Sequence, residues 1–174
     1  MNRRAKVILG SLLSLLIILG VGFLLYASDY YPADEAARAI LQTDSTVLVS
    51  EGIIALVPDA ESDAVLIFYP GAKVEYTAYL PILEKLRRNG IASVLMKMPF
   101  NMAIFNANAA DKAFQAFPHA ANWFIGGHSM GGAMASSYAA GHKERLKGLI
   151  LLGAYIYGDV SPEDTLTVYG TLNA

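Results

Sequence analysis

The hydrophobic positions of this chain form one continuous block near the N-terminus and, further on, a series of short apolar runs. Residues 7–27 carry no charge over 21 positions, and as a helix this block would span about 31 Å, the thickness of a bilayer's hydrocarbon core. From residue 46 onward, short apolar runs alternate with segments of helical periodicity. The block predicts a transmembrane helix, and the alternation predicts an α/β domain.

Basic residues stand on one side of the apolar block. Arg3, Arg4 and Lys6 precede it, whereas the segment that follows begins without Lys or Arg, which favours a cytoplasmic N-terminus and an extracytoplasmic domain. The block is longer than the apolar region of a usual signal peptide, and no clean small-x-small cleavage site follows it. We therefore expect residues 1–28 to form a cytoplasmic tip and an uncleaved signal-anchor in the lipid bilayer, followed by a domain over 29–174. Secretion after signal cleavage is the alternative.

The later pattern is that of a sheet crossed by helices. Strands are predicted at 46–50, 53–57, 64–69, 91–96, 122–126, 147–152 and 166–169, and helices at 36–41, 75–89, 104–117 and 132–140. Continuously apolar strands separated by helical segments are typical of a parallel sheet buried on both faces. The predicted fold class is α/β, a mostly parallel sheet with helices on both faces, preceded by one transmembrane helix.

Composition removes several classes of function. The chain has no cysteine, which excludes a lipid-modified cysteine anchor, disulfides and thiolate metal sites. After residue 28 it carries 10 Lys or Arg and 15 Asp or Glu, a balance without a nucleic-acid-binding signature. No histidine spacing indicates a metal site. We expect no nucleic-acid partner, metal or cofactor, and the sequence leaves the oligomeric state open.

The most informative motif is Gly127-His128-Ser129-Met130-Gly131. It fits the pattern Gly-x-Ser-x-Gly and falls where the strand at 122–126 turns into a helix rich in small residues, which is the context of the nucleophile elbow in serine hydrolases. A serine at the N-terminal end of a helix also lies where the helix dipole favours negative charge. The motif predicts Ser129 as a nucleophile.

A nucleophilic serine needs donors for the oxyanion that forms when it attacks a carbonyl. Met130, directly after the serine, supplies one backbone N–H in an elbow of this type. The second donor comes from the loop after the strand at 64–69, which here reads Tyr-Pro-Gly-Ala-Lys over 69–73. We expect the N–H of Ala72 to be that donor, with Lys73 as the second choice.

None of the three histidines is placed as a general base by the sequence. The side chain of His128 is predicted to point away from Ser129 across the turn, which suits a structural or gating role. His119 and His142 fall near predicted helix ends rather than after a late strand.

Three stretches carry a resemblance to a known family: FYPGAKVEYTAYLPILEKL, SVLMKMPFNMAIF and WFIGGHSMGGAMASSYAA. Together they resemble the alpha/beta-hydrolase superfamily, and most of all a group of bacterial membrane-anchored or secreted members. The resemblance implies a Ser-acid-His triad, hydrolysis of small-molecule esters and no cofactor. It also implies that the family's last strand and helix are missing from these residues, so that the fold is C-terminally truncated.

The last six residues depart from the family pattern. They resemble a loop of the form Tyr-Gly-Ser/Thr-x-Asp-Gly, in which Asn173 takes the position of the triad acid. The family's triad histidine follows one strand later and has no counterpart here. Loss of triad members costs roughly 10⁴- to 10⁶-fold in turnover, so we expect a serine hydrolase-like protein without activity. The alternative is a non-catalytic binding or structural relative at the membrane surface.

Overall fold

The structure, a computed structural model, describes the chain in four stretches: residues 2–43, 47–60, 62–117 and 120–170. It divides into two compact units, Met1–Tyr30 and Tyr31–Ala174. This division falls two residues after the boundary that the sequence predicts.

The first unit is a single long helix, α1 (Arg3–Ser28). The side-chain oxygen of Asn2 accepts a hydrogen bond of 2.8 Å from the N–H of Ala5 and so caps the first turn. The 26 residues of α1 are long and apolar enough to cross a membrane, a property that signal sequences share.

The second unit is built on a seven-stranded sheet. Its strands are β1 (Val47–Ser50), β2 (Ile53–Leu56), β3 (Ala64–Tyr69), β4 (Ala92–Met96), β5 (Asn122–His128), β6 (Gly148–Leu152) and β7 (Thr165–Val168). The order in the sheet is β1-β2-β4-β3-β5-β6-β7. The β1–β2 hairpin and the β2–β4 pair are antiparallel, and the remaining pairs are parallel. The mostly parallel sheet predicted from the sequence is confirmed.

The second unit has four α-helices, of which the last three connect parallel strands. They are α2 (Glu35–Thr43), which precedes β1, and α3 (Leu80–Arg88), α4 (Asp111–Ala116) and α5 (Met130–Gly141), together with 3₁₀ turns at Tyr76–Tyr79, Pro99–Asn101, Ala103–Asn106 and Pro162–Asp164. Two of the predicted helices are therefore shorter than expected. The segment 75–89 begins as a 3₁₀ turn because Pro81, at the start of α3, has no N–H to continue an α-helix backwards.

The predicted helix over 104–117 is interrupted by a tertiary contact. The hydroxyl of Tyr69 donates to the carbonyl of Ala107 and accepts from the N–H of Ala110, each at 2.8 Å. These two backbone groups would otherwise bond within a continuous helix. Only the short helix α4 remains, and it starts at Asp111.

Side chains that alternate along β3 build the two core layers. Val65, Ile67 and Tyr69 lie in the cluster that includes residues of α4 and α5. Leu66 and Phe68 lie in the other cluster, with residues of α3. Helices thus cover both faces of the sheet, as predicted.

The register of the central pair positions the functional segments. β3 and β5 run parallel, and Tyr69 at the end of β3 lies opposite Gly127 on β5. The chain after Tyr69 and the chain after His128 therefore leave the sheet side by side at its carboxyl edge.

Candidate active site

Ser129 occupies the turn between β5 and α5, with φ 51° and ψ −124°. A positive φ is uncommon for a residue with a side chain and costs on the order of 1–3 kcal/mol, and such strain clusters at functional sites. The N–H of Ser129 donates to the carbonyl of Leu152 at 3.0 Å, which ties the turn to the end of β6. The residue itself is exposed. The fold therefore holds a strained serine at the surface, at the start of a helix.

Two glycines allow this turn to pack against β3. A Cβ on Gly127 would lie 2.6 Å from the carbonyl oxygen of Tyr69. A Cβ on Gly131 would collide with the carbonyl oxygens of both Tyr69 and Pro70. Because the obstacles are backbone atoms, they cannot rotate away, and only glycine fits at either position.

We expect Gly131→Ala to destabilise the domain by about 1–3 kcal/mol, the usual cost of overpacking. This corresponds to a Tm lower by about 3–10 °C for a domain of this size. Thermal unfolding of the full chain in detergent measures the change. Gly141→Ala is the matched control, because a Cβ at Gly141 meets nothing within 4 Å. Equal Tm values for Gly131→Ala and Gly141→Ala would contradict the packing argument.

The loop after β3 presents one backbone N–H that is not engaged. The N–H of Gly71 donates to the hydroxyl of Tyr79 at 3.0 Å, and the N–H of Lys73 donates to the carbonyl of Asn101 at 2.9 Å. Between them, the N–H of Ala72 has no acceptor among the described residues. Of the two donors considered from the sequence, Lys73 is thus committed elsewhere, and Ala72 is open.

The first turn of α5 presents a second N–H. Met130 is the first residue of this helix, where backbone N–H groups have no partner within the helix. Its N–H has no acceptor in the part of the chain that the structure describes. The positive end of the α5 dipole adds to the attraction for an anion.

The far side of the loop is held by the first residues of the second unit. The carbonyl of Lys73 accepts from the N–H of Tyr31, and the N–H of Glu75 donates to the carbonyl of Tyr31, both at 2.8 Å. The Glu75 carboxylate accepts from the N–H of Ala33 at 2.9 Å and pairs with Arg38 at 3.3 Å. The hydrogen bond from Ala33 is the main reason why the pKa of Glu75 lies below its usual value.

His128 lies beside the same loop. Its Nδ1 is 2.8 Å from the hydroxyl oxygen of Tyr79, and its imidazole lies between the backbone of Gly71 and that of Gly153. Burial lowers the pKa of the imidazole, so the neutral form is favoured. The partner of His128 is therefore Tyr79, and its ring is directed to the loop after β3.

A model of the alpha/beta hydrolase family matches residues 65–174, a span that begins in β3 and includes the serine turn. The chain belongs to the alpha/beta hydrolase family. No curated protein sequence matches it at a significant level.

Solved structures show the same fold as this alpha/beta hydrolase. A dienelactone hydrolase from Anabaena variabilis is 17% identical with a TM-score of 0.54, and 69% of this chain matches 67% of that one. For TT1662 from Thermus thermophilus the identity is 16%, the TM-score 0.51 and the shares 70% and 59%. MenH from S. aureus is 18% identical with a TM-score of 0.50, and 59% of this chain matches 42% of that one. The chain thus spans between about two fifths and two thirds of the length of these relatives.

The other polar residues singled out in the sequence do not meet Ser129 in this alpha/beta hydrolase. His142 lies past the opposite end of α5, about 18 Å along the helix axis, where Nδ1 is 2.8 Å from the carbonyl of Tyr138 and the two rings stack at 4.0 Å. His119 and Asn173 lie outside the described residues. No group of three His, Cys, Asp or Glu suited to a metal occurs in the described stretches.

The contacts of three residues with the loop 69–73 were not recognised from the sequence. In the sequence, Tyr79 falls within the predicted helix over 75–89, Asn101 falls after the predicted strand at 91–96, and Tyr31 falls shortly after the apolar block. All three hold the loop 69–73 through hydrogen bonds, and those of Asn101 and Tyr31 join segments distant in sequence. Of these, only Asn101 carried a local signal, since asparagine is among the residues that tolerate the positive φ of 53° found there.

Proposed function

We propose that this chain is a membrane-anchored serine hydrolase-like protein of the carboxylic-ester type. Ser129 is its nucleophile, and the backbone N–H groups of Met130 and Ala72 form its oxyanion hole. The observation that carries the proposal is the positive φ of the exposed Ser129 at the turn between β5 and α5. Strain of this kind persists only where the surrounding structure enforces it.

The two N–H groups support a role in acyl transfer. Attack by a serine oxygen on an ester carbonyl places negative charge on the carbonyl oxygen, and fixed donors that await this charge contribute the most to such catalysis. Removal of one such donor typically costs about 10²- to 10³-fold in rate. The segments that carry Ala72 and Met130 leave the sheet side by side, because Tyr69 and Gly127, near the ends of β3 and β5, are paired.

The described residues supply no general base for Ser129. His128 is engaged with Tyr79, and His142 lies past the far end of α5. Asn173 stands at the acid position but, unlike a carboxylate, carries no charge that could stabilise an imidazolium ion. We therefore propose that these 174 residues form an acyl adduct slowly and do not turn over.

Location and substrate follow from α1 and from the exposure of the serine. A signal-anchor helix would hold the domain at the outer face of the cell membrane, with release after cleavage as the alternative. The exposure of Ser129 supports an open site for small or protruding esters rather than a deep lipase-type gorge.

An active-site probe tests the proposal on the full chain in detergent micelles. With a fluorophosphonate we expect slow labelling that reaches one probe per chain, and with p-nitrophenyl butyrate no more than one equivalent of nitrophenol. Absence of labelling at millimolar probe over a day would favour the non-catalytic binding relative and contradict the assignment of Ser129. Sustained release of nitrophenol beyond one equivalent would contradict the proposal that the chain lacks a general base and does not turn over.

A further inference from the structure

A hydrogen-bonded chain joins the serine turn to the loop that carries Ala72. His128 immediately precedes Ser129, and its Nδ1 is 2.8 Å from the hydroxyl oxygen of Tyr79. That same oxygen is 3.0 Å from the N–H of Gly71, the residue before Ala72. Three side-chain and backbone groups thus connect the two segments of the proposed oxyanion hole.

The direction of the first bond is fixed, because a backbone N–H can only donate, so the hydroxyl oxygen of Tyr79 accepts from Gly71. A tyrosine hydroxyl can donate one hydrogen bond and can also accept. The bond to His128 therefore forms with either imidazole tautomer: Nδ1 accepts the hydroxyl proton when the ring proton is on Nε2, and Nδ1–H donates to the hydroxyl oxygen when the ring proton is on Nδ1.

Packing fixes the pair against the loop. A Cβ on Gly71 would lie 2.6 Å from Nδ1 of His128 and 2.8 Å from the hydroxyl of Tyr79, so both groups lie directly on this glycine. The ring of Tyr79 packs on that of Phe68, with centroids 5.1 Å apart. On its other side the imidazole faces the backbone of Gly153. Within the described stretches, Tyr79 is the titratable side chain in contact with His128, with ring centroids 5.8 Å apart.

We propose that Tyr79 and His128 are positioning residues that fix the N–H of Ala72 relative to Ser129. They act through Gly71, and neither touches the substrate. The proposal rests on the proposed function of Ser129 and adds the device that holds the two halves of its site in register. It also explains why a histidine stands beside the serine without serving as its base.

The test starts from the rate of fluorophosphonate labelling of the full chain. Tyr79→Phe keeps the ring on Phe68 and removes only the hydroxyl, and we expect labelling to slow about five- to tenfold, the worth of one hydrogen bond. Tyr76→Phe is the matched control in the same 3₁₀ turn and should label at the wild-type rate. Equal rates for Tyr79→Phe and the wild type would overturn the proposal.

Variants of His128 separate positioning from general structural damage. His128→Leu removes the hydrogen-bonding partner of the Tyr79 hydroxyl and should slow labelling to the level of Tyr79→Phe, and the double variant should be no slower, because both act through one bond. His128→Asn offers an oxygen near the position of Nδ1 and should restore most of the rate. Additive losses, or failure of His128→Asn to exceed His128→Leu, would count against the pair.

Amide hydrogen exchange at Gly71 tests the positioning role independently of labelling. In Tyr79→Phe we expect the amide of Gly71 to exchange about five- to tenfold faster than in the wild type, with unchanged exchange in β3. If exchange at Gly71 accelerates but the wild type is not labelled, the positioning role of Tyr79 and His128 stands and the proposed function of Ser129 fails. Unchanged exchange at Gly71 overturns the pair, whatever the labelling shows.

Discussion

Ser129→Ala is expected to reduce fluorophosphonate labelling of the full chain to background. The probe reacts with the serine oxygen, and alanine removes that oxygen. Alanine keeps the Cβ and therefore the same backbone preference at φ 51°, so the domain should melt at the wild-type temperature. The loss then reports the hydroxyl alone. In-gel fluorescence over a time course measures it.

Ser137→Ala provides the control for this loss. Ser137 lies on the same helix, α5, two turns further along and half-buried, and it has no place in the proposed site. Its labelling should equal that of the wild type. If Ser129→Ala is still labelled at half the wild-type rate or more, another residue is the nucleophile.

Ala72→Pro is expected to slow labelling by about 10²-fold, the usual cost of one lost oxyanion donor. Proline has no N–H and therefore removes the group that the loop leaves open. The loop should tolerate it, because Ala72 precedes a residue of positive φ, Lys73 at 57°, a turn arrangement in which proline is common. Rates from stopped time points, with Tm as a check on folding, measure the effect.

Ala72→Gly is the matched control for the lost donor. It removes the methyl group but keeps the N–H, and we expect labelling within about threefold of the wild type, in line with the small cost of most surface substitutions. If proline and glycine at position 72 give the same rate, the second oxyanion donor lies elsewhere in the loop.

Much of the fold was predictable from the apolar runs. The strand at 64–69 and residues 149–152 of the strand at 147–152 are continuously hydrophobic, as expected of strands in a parallel sheet covered on both faces, and the structure has strands over nearly the same residues. The interruption of the helix predicted over 104–117 was not predictable in the same way. It depends on the hydroxyl of Tyr69, a contact with no signature in the local sequence.

The candidate site likewise has residues that the sequence marks and residues that only the tertiary structure reveals. Ser129, Met130 and the loop at Ala72 are marked by spacing and by the order of strands, since the required backbone turn imposes glycines at fixed positions. Tyr79 and His128 were unpredictable as a pair, because 49 residues separate them and only the alignment of β3 with β5 brings their segments together.

The most direct test of the central claim is peptide mapping of the labelled chain by mass spectrometry. After reaction with a fluorophosphonate and digestion, we predict one phosphonylated site, Ser129, at a stoichiometry that approaches one per chain. An adduct spread over several serines and tyrosines, or one that lies on any residue other than Ser129, would contradict the account.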